Sequence, residues 1–353
     1  MQPTPFFLQK ATVLAECINT FSVVPLRGKD YDTMFCDTHE ARTGEANSNP
    51  IDELIDYYGH AQGIRHTLVV GHTGCGKSTE LHTFVRAMQE EKRLVVDVSA
   101  KDKLDLQSVT YIDLLVMIMA ELCIAAKNEK LSIRDSVVKE IRNYWNKTTM
   151  LDEVKGTSLG VEVQAGIEGD VKLPGLVRFF GKVSGALTSE AITRKKIQTV
   201  IEPELSVFMD LLRMLAGEVE QQLAKKGRPR RPILVIDDLD KMDRDKALNI
   251  FHVHASTLAL LPMNSVCTFP IDLAYAPEFN PIQNTFEHVI LPMIKLYDWQ
   301  PKKTRTYRDE RYEKGWETLR AIIFKRAEEN LFACDALDLM IEKPADIFAT
   351  FFA

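Results

Sequence analysis

RHTLVVGHTGCGKST, residues 65–79, decides how the rest of the chain is read. Its first six residues end in the apolar Leu68, Val69 and Val70 and read as a buried strand, and from Lys77 onward the apolar residues are spaced for an amphipathic helix. Between them Gly71, His72, Thr73, Gly74, Cys75, Gly76, Lys77, Ser78 and Thr79 fit G-x-x-x-x-G-K-[ST], with Gly71, Gly76, Lys77 and Ser78 in the fixed places. Such a strand–loop–helix passage aims backbone N–H groups and a helix N-terminus at one anionic spot. Glycines at 71, 74 and 76 permit close backbone approach and positive φ angles. The spacing therefore predicts a phosphate-binding loop. Lys77 would reach the β- and γ-phosphates as a point charge, and the Ser78 hydroxyl would fill one position around an octahedral Mg2+. Cys75 occupies a small-residue position in this loop, with a redox switch as the alternative reading.

A loop of this kind needs a carboxylate beside the metal, and residues 233–240 (ILVIDDLD) supply an apolar strand that ends in acids. Asp237 at the strand end is placed to hold Mg2+ directly or through water. Asp238 is placed to orient and partly deprotonate an attacking water. A strand meeting an acidic surface turn is the plainer reading of the same residues. A second apolar run, VCTFP at residues 266–270, offers Thr268 as a sensor of the γ-phosphate or the lytic water, although threonine is also favoured in strands on structural grounds.

Further short apolar runs at 93–99, 264–269 and 288–296 read as buried parallel strands. Stretches at 77–91, 108–129, 190–226 and 243–261 read as helices between them, and this alternation predicts a three-layer α/β domain. One segment departs from it. Leu159, Val161, Val163, Ala165 and Ile167 alternate with more polar or small residues, and seven of the 17 glycines fall between Gly156 and Gly185, which predicts a glycine-rich β-hairpin insert over 150–189. The apolar residues Leu176, Val177, Phe179, Phe180 and Val183 that follow suit either docking onto the parent domain or contact with a membrane or partner protein.

Composition excludes several classes. With 44 Lys plus Arg against 50 Asp plus Glu, the net charge of −6 rules out a generally basic nucleic-acid coat. The most apolar stretch, Tyr111–Ala126, contains Asp113 and Glu121 and is shorter than the about 20 residues that cross a bilayer, so no transmembrane segment is expected. The N-terminus carries no secretion signal, and six scattered cysteines without C-x-x-C spacing fit reduced thiols, so a cytoplasmic location is expected. His252 and His254, two apart on an expected helix, project from different faces and do not suggest a metal site.

GHTGCGKST, ILVIDDLDKMD and VCTFP together resemble the additional-strand P-loop ATPases, nearest to the AAA+ and STAND classes and to origin-recognition-like and KAP-like bacterial ATPases. The resemblance spans about residues 60–300. It implies a P-loop NTPase fold with a parallel sheet in the order 5-1-4-3-2, ATP and Mg2+ as ligands, and a partial helical lid at about Glu310 to Ile341. It further implies an organisation in which residues 1–62 pack near the adenine, 63–300 form the ATPase domain and 301–353 the lid. Three departures bear on activity. The position of Asp238 is usually glutamate, which reaches one methylene further, so slow hydrolysis is expected. Residues 247–294 hold no Lys or Arg, which removes the usual arginine finger. The chain ends in the apolar FATFFA before the usual lid arginine, with Arg305, Arg308, Arg311, Arg320 and Arg326 as the cations at hand; a truncated chain or a docking tail is expected.

Three functions follow from these readings. The first is an ATPase acting as a nucleotide-dependent conformational switch in bacterial signalling or antiviral defence, with a homo-oligomer or a protein partner engaged through the glycine-rich insert. The second is a nucleic-acid-remodelling or loading ATPase, supported by the basic cluster Lys225, Lys226, Arg228, Arg230 and Arg231. The third is a non-hydrolysing ATP-binding scaffold.

Overall fold

The computed structural model describes residues 8–21, 24–150, 173–298, 310–332 and 341. Packing divides the chain into two units. Leu54–Gly71 and Thr83–Ile290 make the larger; Met1–Glu53, His72–His82 and Leu291–Ala353 make the smaller.

The larger unit is α/β, built on an all-parallel sheet of β1 (His66–Val70), β2 (Val95–Ser99), β3 (Ile233–Asp237), β4 (Asn264–Phe269) and β5 (Glu287–Ile290). Counted from one edge the order is β2-β3-β4-β1-β5; counted from the other it runs 5-1-4-3-2. β1, β3 and β4 are buried at every residue, because helices cover both faces of a parallel sheet, and this is why they read as unbroken apolar runs. The expected buried strand at 288–296 is not found. Only Glu287–Ile290 pair, as an edge strand whose residues are mostly exposed.

Tyr111–Asn128 is the interior helix of this unit. Thr110 caps it: its Oγ1 accepts the Asp113 N–H, and Asp113 Oδ2 accepts the Thr110 N–H at 2.9 Å. Buried side chains surround the helix, so its apolar character reflects a core position. Among the described residues no helix is long and apolar enough to cross a membrane.

Of the insert expected over 150–189, the part that follows residue 172 is described, and it is helical. Residues 151–172, where the hairpin was expected, lie outside the described residues, and Leu173–Ser189 form a helix. Leu176, Phe180 and Val183 of this helix are buried in the main core, with Val177 and Phe179 packed against it, so docking onto the parent domain accounts for the apolar run. The contact centres on Trp145, whose ring lies 5.4 Å from Phe179 and 5.8 Å from Phe180. Phe180→Ala is therefore expected to cost about 3–5 kcal/mol in chemical denaturation, as for other large aromatic truncations in cores. A partner-binding face would lose under about 0.5 kcal/mol from the same change.

Two long expected helices are interrupted. The 190–226 run breaks between Ala191–Ile201 and Leu205–Lys225 at the turn Glu202–Glu204, where Pro203 offers no N–H. The 243–261 run becomes Arg244–Leu248, a π-helical turn Asn249–Val253 and Ala255–Leu258, and His254 stacks on Tyr111 with centroids 3.6 Å apart.

In the smaller unit the helices Gly28–Met34 and His39–Thr43 precede a two-stranded antiparallel ribbon of β6 (Tyr297–Asp298) and β7 (Glu310–Arg311), followed by the helix Glu313–Arg326. The expected lid thus supplies one described helix of this length, from Glu313 rather than Glu310. The Lys295 carbonyl passes so close to Gly315 that a Cβ there would sit 1.7 Å from its oxygen, so only glycine fits.

Candidate functional site

β1 ends at Val70 and the 71–79 segment follows it directly into the helix Lys77–Glu90. Gly74 and Gly76 take φ angles of +82° and +94°, in the left-handed region where a Cβ would be strained. The turn is closed by the Cys75 N–H donating to the His72 carbonyl at 3.1 Å, and by the Thr79 and Glu80 N–H groups donating to the Gly76 carbonyl at 3.0 Å. His72, Thr73 and Gly74 are exposed, Cys75 and Lys77 are buried, and Ser78 and Thr79 are intermediate. Lys77 opens the helix, and its Nζ donates to the His72 carbonyl at 2.9 Å across the turn. Of the glycines expected to take positive φ, Gly71 does not.

Sequence reasoning missed the residues that brace this segment from behind. Arg42, 8% exposed, donates from Nη2 to the Cys75 carbonyl at 2.6 Å, from Nη1 to the Pro292 carbonyl at 2.6 Å and from Nε to Thr38 Oγ1 at 2.7 Å. Thr38 Oγ1 donates to Glu80 Oε1 at 2.9 Å, and the Glu80 carboxylate lies 3.8 Å from Arg42 Nη2. Burial pushes the Glu80 carboxyl up, against the opposing pull of Arg42 and the Thr38 hydrogen bond. No motif spacing ties residue 42 to residues 75 and 292. The one visible sign was an acidic residue in the first turn of a helix whose start is already electropositive.

The acidic strand end belongs to the larger unit. Register places Ser99 of β2 beside Asp237 of β3, Ile236 beside Cys267 of β4, and Thr268 of β4 beside Val69 of β1, all near the carboxyl ends of the strands. Asp237 and Asp238 are both buried. Asp237 Oδ1 accepts the Asp238 N–H at 2.7 Å, and Asp238 sits at φ +66°, a left-handed conformation that aspartate tolerates better than most residues. Ser99 Oγ donates to Asp238 Oδ2 at 2.7 Å, Lys101 Nζ lies 3.3 Å from the same oxygen, and Lys241 Nζ donates to Oδ1. Burial works to raise the Asp238 carboxyl, but the Lys241 and Ser99 hydrogen bonds and the nearby ammonium charges outweigh it and hold the group below the ordinary carboxylate range. Two ammoniums on one carboxylate stabilise the anion and make it a weak base.

Thr268 is fully buried, and its Oγ1 accepts the Leu239 N–H at 2.9 Å. Its hydroxyl therefore buttresses the turn that carries Asp238. Asp237, Asp238 and Thr268 are brought together in the larger unit, with Ser99, Lys101 and Lys241 as neighbours the sequence did not indicate.

Three of the five clustered cations have local structural partners. Lys226 Nζ donates to the Glu129 and Lys130 carbonyls, at 2.8 and 3.3 Å. Arg228 donates to the Lys92 carbonyl at 2.8 Å and pairs with Glu129, and Arg231 donates to the Gln62 carbonyl. They tie helix ends and strand entries together, which weakens their value as a nucleic-acid surface. No protein-family model, curated protein or solved structure matches this chain.

Proposed function

We propose that the chain is a P-loop ATPase of the AAA+/STAND kind that binds Mg·ATP on the 71–79 segment and works as a nucleotide-dependent conformational switch. The observation that carries the reading is the segment itself: left-handed glycines at 74 and 76, between a buried parallel strand and a helix opened by Lys77, in the sequence pattern that cradles phosphate. The acidic end of β3 supports it, since ligands of open parallel α/β sheets sit beyond the carboxyl ends of the strands. The Ser78 hydroxyl and Asp237 carboxylate are hard oxygen donors suited to Mg2+, which is commonly held by one or two protein oxygens together with phosphate oxygens. Bound ATP would supply the phosphoryl group, and its γ-phosphate with Mg2+ would favour one of two states; Lys77 would meet its phosphates, and Asp238 would orient water.

The lysine pair on Asp238 also favours the scaffold reading, in which ATP binds and is hydrolysed slowly or not at all. Assembly with a second copy or a protein partner, engaged through the glycine-rich insert over 150–189, belongs to the switch proposal, as do a cytoplasmic location and a role in signalling or antiviral defence. Light scattering in Mg·ADP and in a non-hydrolysable Mg·ATP analogue, each with and without DNA, tests it. The switch predicts a mass or shape that changes between the two nucleotides and ignores DNA. A change that appears only with DNA would favour nucleic-acid remodelling, and identical scattering throughout would leave the scaffold reading standing.

A further inference from the structure

We infer that Arg42 is a positioning residue for nucleotide binding: by gripping the Cys75 carbonyl from behind, it fixes the direction of the Gly76 N–H in the phosphate cradle. The inference rests on the nucleotide-binding reading above and deepens it. A peptide unit is planar, and in the trans form its C=O and N–H point to opposite sides. The Cys75 carbonyl and the Gly76 N–H belong to one such unit. With the carbonyl held at 2.6 Å by Arg42 Nη2, the Gly76 N–H is turned away from Arg42.

Gly76 needs that help. At φ +94° a glycine has no side chain to limit its rotation; the Thr79 and Glu80 N–H groups hold the carbonyl of Gly76 itself, but the peptide plane before it swings unless the Cys75 carbonyl is gripped. Contacts made by other residues hold Arg42 in turn. Its Nε is bound to Thr38, Nη1 to the Pro292 carbonyl, and the Glu80 carboxylate balances its charge in a buried setting. The fork has little freedom left, so the carbonyl it grips has little either. A Cβ on Gly76 would lie 3.1 Å from Arg42 Nη2, which shows how closely the guanidinium is seated against the loop. An unclamped loop would have to fix this amide at the moment of binding, and that cost would appear as lost affinity.

Arg42→Lys is the informative substitution. An ammonium keeps a positive charge near Glu80 but cannot span the Cys75 carbonyl, the Pro292 carbonyl and Thr38 together. Mg·ADP binding by calorimetry is expected to weaken about tenfold, or about 1.4 kcal/mol. Val183→Ala, a truncation in the core of the larger unit at a residue with no part in the loop, is the stability control: it should lower the melting temperature and leave affinity within about threefold, under about 1 kcal/mol. Independently, 15N-glycine spectra of the parent chain should show the Gly76 amide shifting on addition of Mg·ADP, which needs no variant to fold. Arg42→Lys binding within threefold of the parent, or affinity lost equally in Val183→Ala, would overturn the positioning role, as would a Gly76 amide that ignores Mg·ADP while the parent binds it. A parent chain that binds no Mg·ADP at all would instead overturn the nucleotide reading, and this inference with it.

Discussion

Asp238→Asn is expected to bind Mg·ATP within about threefold of the parent and to turn it over about 100-fold more slowly, the size of effect a positioned general base supplies. Asparagine keeps the size of the side chain, can still accept from Ser99, and tolerates the left-handed backbone at this position, so the turn should survive. What it loses is the charge that would draw a proton from water. The same change removes the anion that Lys101 and Lys241 hold. Because the folded Asp238 carboxyl lies below its ordinary range, its ion pairs stabilise the fold fully above about pH 4 and are lost as pH falls through the folded value. Unfolding titrations of Asp238→Asn should accordingly show a shallower loss of stability below about pH 4. Phosphate release at the parent rate would place the base on another residue. If the parent releases none, Asp238 serves the fold alone and the scaffold reading prevails.

Lys77→Ala should weaken Mg·ATP binding at least tenfold, about 1.4 kcal/mol. Lys77 is buried and already aimed across the turn, its Nζ bound to the His72 carbonyl, so little side-chain entropy remains to be lost when it meets a phosphate. The variant leaves the β- and γ-phosphate charges without their main cationic side chain. Loss of affinity without loss of thermal stability is the expected pair of results. Unchanged calorimetric affinity would remove the 71–79 segment from any role in nucleotide binding.

Both substitutions were legible in the sequence because each lies where a regular element ends. β1, β3 and β4 are buried on both faces, so their apolar runs stop where the chain leaves the sheet, and the polar residues that follow stand out. β5 was overestimated because an edge strand carries no such pattern and its apolar neighbours continue past the last pairing residue. The helix Leu173–Ser189 was hidden by the glycines around it, although Phe180 and Val183 sit three apart as a helix face requires. Arg42 and Lys101 could not be found by spacing. Their roles depend on carbonyls and carboxylates supplied from distant segments, and a lone basic residue in sequence looks like any solvated cation. The turn-buttressing role of Thr268 was likewise out of reach, since its partner is a backbone N–H on another strand end.

Hydrogen–deuterium exchange across the chain, measured with and without Mg·ADP, tests the central claim most directly, because it reports where the ligand orders the backbone. The account predicts slowed exchange of the amides in residues 71–80 on adding Mg·ADP, with that protection absent in Lys77→Ala. Protection confined to other segments, or an unchanged 71–80 region in a chain that binds the nucleotide, would contradict it.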